Sequence, residues 1–155
     1  MPMTQTEPEH ELKTALDVFE TCLETPVMAG ELLAWVDELQ NAWADVSGQM
    51  HGHVAEIHPR QYQQISKEDP ELLPKIEKLT AEDEAIDEDR AEFDRRLRRC
   101  GEIAPQFEPD EEESAEHIQA LVDEGIALVT RVRKQEVAVQ TWFVEAFTRD
   151  RGVAD

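Results

Sequence analysis

Leu32, Val36, Leu39, Trp43, Val46, Met50, His53 and Ile57 follow one another at alternating intervals of four and three residues. That spacing puts them on one face of a helix and is the seam spacing of a helical bundle. A stripe this long has to be buried against other helices. Three further stripes are present. Leu12, Leu16, Phe19 and Leu23 form the first; Ile76, Leu79, Asp83, Ile86, Arg90, Phe93 and Leu97 form another. Ile118, Val122, Gly125, Val129, Val132, Glu136, Val139 and Phe143 form the last. Strand-like alternation is almost lacking. The fold class expected is therefore all-α: an antiparallel four-helix bundle in up-down-up-down order.

Breakers divide the stripes. Residues 1–8 are polar and contain Pro2 and Pro8, so a disordered lead is expected, with the bundle over 9–149 and a short tail at 150–155. The first helix is predicted from about Glu9 to Thr25, closed by Pro26, because the residue before proline is pushed out of the helical region. The second is predicted to start near Val27–Gly30, to be weakened by Gly48 and Gly52, and to kink or end at Pro59 before reaching Ile65. Asp69 and Pro70 are an N-cap and a first helical position. The third helix is predicted from there to Arg99, with Gly101 as its stop. A loop over Glu102–Pro109 follows. The acidic run Asp110–Glu113 then suits the start of the fourth helix, which runs to about Arg149.

A chain of 155 residues suits one domain, and a 40% apolar fraction is enough for its core. The net charge of −21 repels phosphate backbones and anionic membrane surfaces, so neither nucleic acid nor membrane is an expected partner. A basic protein partner is compatible with that charge, though no residue pattern marks a docking face. No signal peptide or membrane span is read from the sequence, and the expected location is the cytoplasm. Cys22 and Cys100 are too isolated for a disulfide framework or a zinc motif and are expected as reduced, packed thiols. Trp35, Trp43 and Trp142 are expected in the core or on a seam.

The residues that interrupt the stripes are the informative ones. His53, Asp83, Arg90 and Glu136 each stand between apolar neighbours, and a charge facing a core costs several kcal/mol unless paired, ligated or wet. Counting along the helices puts His53 and Asp83 level with each other. Glu136 reaches that depth only if the fourth helix starts well beyond the end of the third. Three readings stay open: a hydrogen-bonded cluster that sets helix register, a residual metal site, or groups that reach water. His51, His53 and His58 lie near one turn yet point apart on an α-helix, so most of them are expected at the surface beside a proline kink. Glu113 and His117 are four apart and Glu116 and His117 are adjacent, so neither makes the Glu-x-x-His pattern of carboxylate di-iron bundles; with no phosphate loop or nucleophile–base pair read either, no enzyme is expected.

The stretch His53-Val-Ala-Glu56, followed by Pro70-Glu-Leu-Leu-Pro-Lys-Ile-Glu-Lys-Leu79-Thr-Ala-Glu82-Asp83, resembles hemerythrin-like (HHE cation-binding) domains. The ending from Val144 to Gly152 is similar to the close of some bacterial members. The resemblance covers most of the chain from the second helix onward. It implies a four-helix bundle holding two irons on histidines and carboxylates, with oxygen or redox sensing as its role. Carried over, His53 matches the second-helix histidine and Glu56 stands for its carboxylate, though at a spacing of three. Asp83 takes the place of the third-helix histidine, with Asp87 one turn on. Val132 stands where a fourth-helix histidine is expected, and Glu136 keeps the carboxylate four residues later. The first helix offers no histidine on its apolar face. The resemblance thus implies a member that has lost its di-iron site, with no cofactor and a binding or regulatory role. The alternative is a site for iron or manganese on His53, Glu56, Asp83, Asp87 and Glu136.

Overall fold

The computed structural model describes residues 7–28, 30–106 and 112–148, and these are all-helical, without strands. Helix α1 spans Glu7–Glu24 and α2 spans Leu32–Gly52. A π-helical turn, His53–Ile57, joins α2 without a break to α3, His58–Glu68. A 3-10 turn at Pro70–Leu72 leads into α4, Leu73–Ile103, which ends in a second 3-10 turn at Ala104–Gln106. Helix α5, Glu112–Thr148, is the last element of the described residues. With α2 and α3 forming one rod, the described residues make four helical rods, consistent with a four-helix bundle.

Cross-helix contacts fix the directions. Trp35 Nε1 donates to Cys22 O at 3.1 Å, and His53 meets Pro8 O at 3.2 Å, so α1 and α2 are antiparallel. Trp43 Nε1 donates to Asp94 Oδ1 at 3.0 Å and Arg90 to Ser47 Oγ at 3.1 Å, which opposes α2 and α4. Arg131 bonds Glu82 while Lys75 lies over the Trp142 ring, which opposes α4 and α5. Arg133 reaches Glu20 while Gln140 reaches Glu9, which opposes α1 and α5.

Several boundaries differ from expectation, each for a local reason. Glu7 and Pro8 belong to α1, because proline is tolerated in a first turn and Glu7 and Glu9 suit the positive end of the dipole. The segment before α2 is a turn in which Gly30 takes φ +80° and Glu31 N bonds Met28 O, so α2 starts at Leu32. Asp69 caps as expected, accepting from Glu71 N at 3.2 Å. Gly101 does not stop α4. It lies where α4 passes the Gln40 amide, and a Cβ there would collide with that side chain. Gly125 has a similar role on α5, where a Cβ would stand 2.8 Å from both Leu23 methyls. The lead at 1–6, most of the acidic run, Arg149 and the tail at 150–155 lie outside the described residues.

Pro59 does not end its rod. Without an N–H it cannot bond the carbonyl four residues back, and its ring crowds that carbonyl. The π-turn immediately before it absorbs the conflict, as His58 N bonds His53 O in the i→i+5 pattern.

The core is in two parts. In the larger, Phe19, Trp43 and Phe93 form a ring trio with centroids 4.6–5.7 Å apart, surrounded by Leu12, Leu16, Leu39, Val46 and Leu97. The smaller holds Tyr62, Ile65, Leu72, Ile76, Leu79, Val139 and Ala146, drawn from α3, α4 and α5. Each buried aliphatic side chain contributes about 1.5–3 kcal/mol, so both parts draw the rods together. Trp35 and Trp43 are buried, as expected; Trp142 is half-buried. Cys22 and Cys100 are free thiols. No helix of the described residues is long and apolar enough to cross a membrane.

Candidate functional site

Between the two apolar clusters lies a polar layer. Along α2–α3 it falls after Met50 and before Ile65; on α4 it falls between Leu79 and Ile86; on α5 it falls between Val132 and Val139. His53, Asp83 and Glu136 meet in it, as their stripe positions require. His58, Tyr62 and Gln135 join them.

The π-turn is what assembles the layer. On an α-helix, residues five apart diverge. Over a π-turn five residues complete the circuit, so the His53 and His58 rings come together edge to face, with centroids 5.5 Å apart. Both imidazoles are buried, each at 2% exposure, which corrects the expectation of a surface His58. Tyr62, one turn further on α3, lies on the same side, with its ring centroid 5.8 Å from that of His58.

The bonding converges on two carboxylates. Glu136 Oε1 lies 3.2 Å from His53 Nδ1 and 2.8 Å from His58 Nε2. The other nitrogens face outward onto acceptors. His53 Nε2 meets Pro8 O at 3.2 Å, and His58 Nδ1 meets Asp83 Oδ1 at 2.9 Å. Asp83 also accepts the Tyr62 hydroxyl at 2.6 Å and the Gln135 amide at 2.9 Å, and that amide donates in addition to Leu79 O at 2.9 Å. Among the described residues, Ser114 Oγ, at the far end of α5, is the buried side-chain polar atom without a partner.

Charge follows from this geometry. Burial alone would lower the pKa of His58, but hydrogen bonds to Asp83 and then Glu136 outweigh it and raise it from 6.5 to about 9. Burial would raise Glu136, but the hydrogen bonds from His53 and His58 hold it at about 2. Burial, and next the bond to Asp83, push the Tyr62 phenol well above its ordinary value, so it stays a neutral donor. With one ring nitrogen against Asp83 and the other against Glu136, the metal-free layer favours the protonated form of His58.

Glu136 is 21% exposed and opens onto a groove of about 770 Å³ between α1 and α5, walled by Leu12, Leu16, Val137 and Val144. The remaining sequence candidates lie elsewhere. Glu56 is exposed on the outer side of the π-turn. Asp87 is half-buried and pairs with Arg90 at 2.8 Å. Val132 is packed in the larger cluster. His51 is exposed. The residues missed in the sequence were His58, Tyr62 and Gln135. A histidine directly before a mid-helix proline was the available signal, since the proline forces a local change of pitch.

His53, His58 and Glu136 each offer one ligand atom, and these atoms lie within 4.8 Å of one another. Among the described residues this is the group of three such side chains so gathered. Comparison with known proteins finds no family model, no curated protein and no solved structure that matches this chain.

Proposed function

We propose that this chain is a metal-binding helical bundle of hemerythrin-like plan, holding one divalent transition-metal ion on His53 Nδ1, His58 Nε2 and Glu136. One observation carries the reading. The two inward imidazole nitrogens face the same carboxylate oxygen, while each outward nitrogen is held by an oxygen acceptor. Ligating histidines are oriented in that way, with the second ring nitrogen bonded to a carboxylate or a backbone carbonyl. Two imidazoles and a carboxylate suit iron(II), manganese(II) or zinc, and the same donors are familiar in mononuclear iron sites with open positions. The groove beside Glu136 gives the ion a route to solvent.

A two-iron centre of the usual family kind is not part of this reading. Glu56 and Asp87 lie outside the layer, Asp83 is spent on three hydrogens, and α1 contributes only the Pro8 carbonyl. When bound, the ion would supply Lewis acidity or a redox couple. The protein's own contribution is to fix both ring orientations and to bury both rings. Binding or sensing fits such a site better than catalysis, because among the described residues no nucleophile or free general base adjoins it.

One observation favours a second reading, a scaffold that has lost its metal: every polar group of the layer already has a protein partner. Metal content of protein purified without chelators or affinity metals separates the two. One ion per chain, lost in His58→Ala, is the expected result. Less than about a tenth of an ion, unchanged after soaking with iron(II) and manganese(II), would leave only the scaffold.

A further inference from the structure

The two imidazoles are not held alike. His53 presents its outward nitrogen to a neutral backbone carbonyl, that of Pro8. His58 presents its outward nitrogen to the Asp83 carboxylate, and that carboxylate is itself gripped from both sides. Tyr62 O–H donates to Asp83 Oδ2 at 2.6 Å, and Gln135 Nε2 donates to Asp83 Oδ1 at 2.9 Å. The same amide donates to Leu79 O, which ties the grip to the backbone of α4. Tyr62 is 7% exposed and Gln135 5%, so these donors are spent inside the protein. The supports come from the elements that carry the ligands: Tyr62 stands one turn after His58, and Gln135 directly precedes Glu136.

A neutral imidazole can carry its proton on either nitrogen, and the hydrogen bond made by one decides what the other can do. When an ion displaces the Nε2 proton that Glu136 accepts in the metal-free protein, a carboxylate fixed at Nδ1 keeps the other proton there and leaves the Nε2 lone pair to the ion. We infer that Tyr62 and Gln135 are positioning residues that hold Asp83 so that His58 presents Nε2 as its ion-binding nitrogen. This rests on the metal-binding reading above. It makes His58 the stronger of the two imidazole donors, because a carboxylate partner raises ligand basicity more than a neutral carbonyl does. It also gives Asp83 a role beside the ion, not upon it.

The test uses the full chain, stripped with a chelator and titrated with cobalt(II), followed by visible absorption. Nitrogen NMR of the zinc-loaded protein reports which ring atom of His58 carries the proton. Wild type should bind one ion, with Nδ1 protonated and Nε2 ligated. Asp83→Asn should weaken cobalt binding about 10–100-fold and mix the His58 tautomers, with Tyr62→Phe showing a smaller loss in the same direction. Ile65→Val, which trims the same apolar cluster beside Tyr62, should bind cobalt as wild type does and so separates the relay from a softened core. If Asp83→Asn fails to fold, Tyr62→Phe carries the test, since it removes a single hydroxyl. Cobalt binding by wild type, with equal affinity and an unmixed tautomer in both variants, would overturn the relay and leave the site standing. No cobalt uptake by wild type would overturn the site and the relay together.

Discussion

Replacing Asp83 with leucine is the sharpest test of what holds the polar layer together. The carboxylate is buried and accepts from His58, Tyr62 and Gln135. Leucine leaves those three donors facing methyl groups, at about 1–3 kcal/mol each, and strips His58 of one of its two counter-charges. Burying the leucine returns about 2 kcal/mol. The balance is a net loss of about 1–7 kcal/mol, whose middle falls in the range of about 3–5 kcal/mol for breaking a buried pair by removing one partner. At a urea slope of about 2 kcal/mol per molar, the unfolding midpoint should fall by about 2 M. A double-mutant cycle sharpens the argument. Combining His58→Leu with Asp83→Leu should cost clearly less than the two single losses together, because the charges then leave as a pair. An Asp83→Leu protein as stable as wild type in chelator-treated urea melts would refute the account of the layer as a paired, stabilising network.

The same network fixes a pH dependence for the metal-free protein. His58 is raised from 6.5 to about 9, so its contribution is complete below pH 6.5 and is lost as pH rises through about 9; at about 1.4 kcal/mol per pH unit that is about 3 kcal/mol. Glu136 is lowered from 4.5 to about 2, so its share is present above pH 4.5 and lost as pH falls toward 2. Urea melts at pH 6 and pH 9 should therefore differ, and a His58→Gln variant should lose most of that difference; equal slopes in the two proteins would count against the imidazolium. Gly125→Ala should cost about 1–3 kcal/mol by driving a methyl into Leu23, whereas Gly48→Ala, exposed in mid-helix with open space around it, should gain up to about 1 kcal/mol. Thermal melts of the two variants moving in the same direction would contradict the helix spacing described for α1 and α5.

Much of the fold was legible because a helix writes its buried face into the sequence at a constant interval. Leu12, Leu16, Phe19 and Leu23 are all buried, as are Val36, Leu39, Trp43, Val46 and Met50. The interruptions were legible for the same reason: His53, Asp83 and Glu136 stand in one layer because each occupies a core position on its own rod. Glu56 and Asp87 came from the family pattern, and neither lies on a buried face here. His58 was hidden by the assumption of constant pitch. Projected on an α-helix it points away from His53, and only the π-turn ahead of Pro59 brings the two together. Gly30 and Gly101 exchanged roles for a comparable reason. Glycine marks both left-handed turns and close approaches, and only the neighbouring chain decides which.

Five residues in the π-turn do the work that four do in an α-helix. The stretch His53–Ile57 is therefore equivalent to a plain helix carrying one inserted residue. Deleting a residue between His53 and His58 would return them to a spacing of four, still on one face, with α2 and α3 each keeping its register toward the core. Pro59 alone would then be misplaced, its ring meeting the carbonyl that the insertion had moved aside. A pair of histidines four apart without a following proline, and a pair five apart with one, are thus two spellings of the same layer. A chain shorter by that one residue can keep the chemistry while showing a different motif, and a search at one fixed spacing would pass over the other spelling.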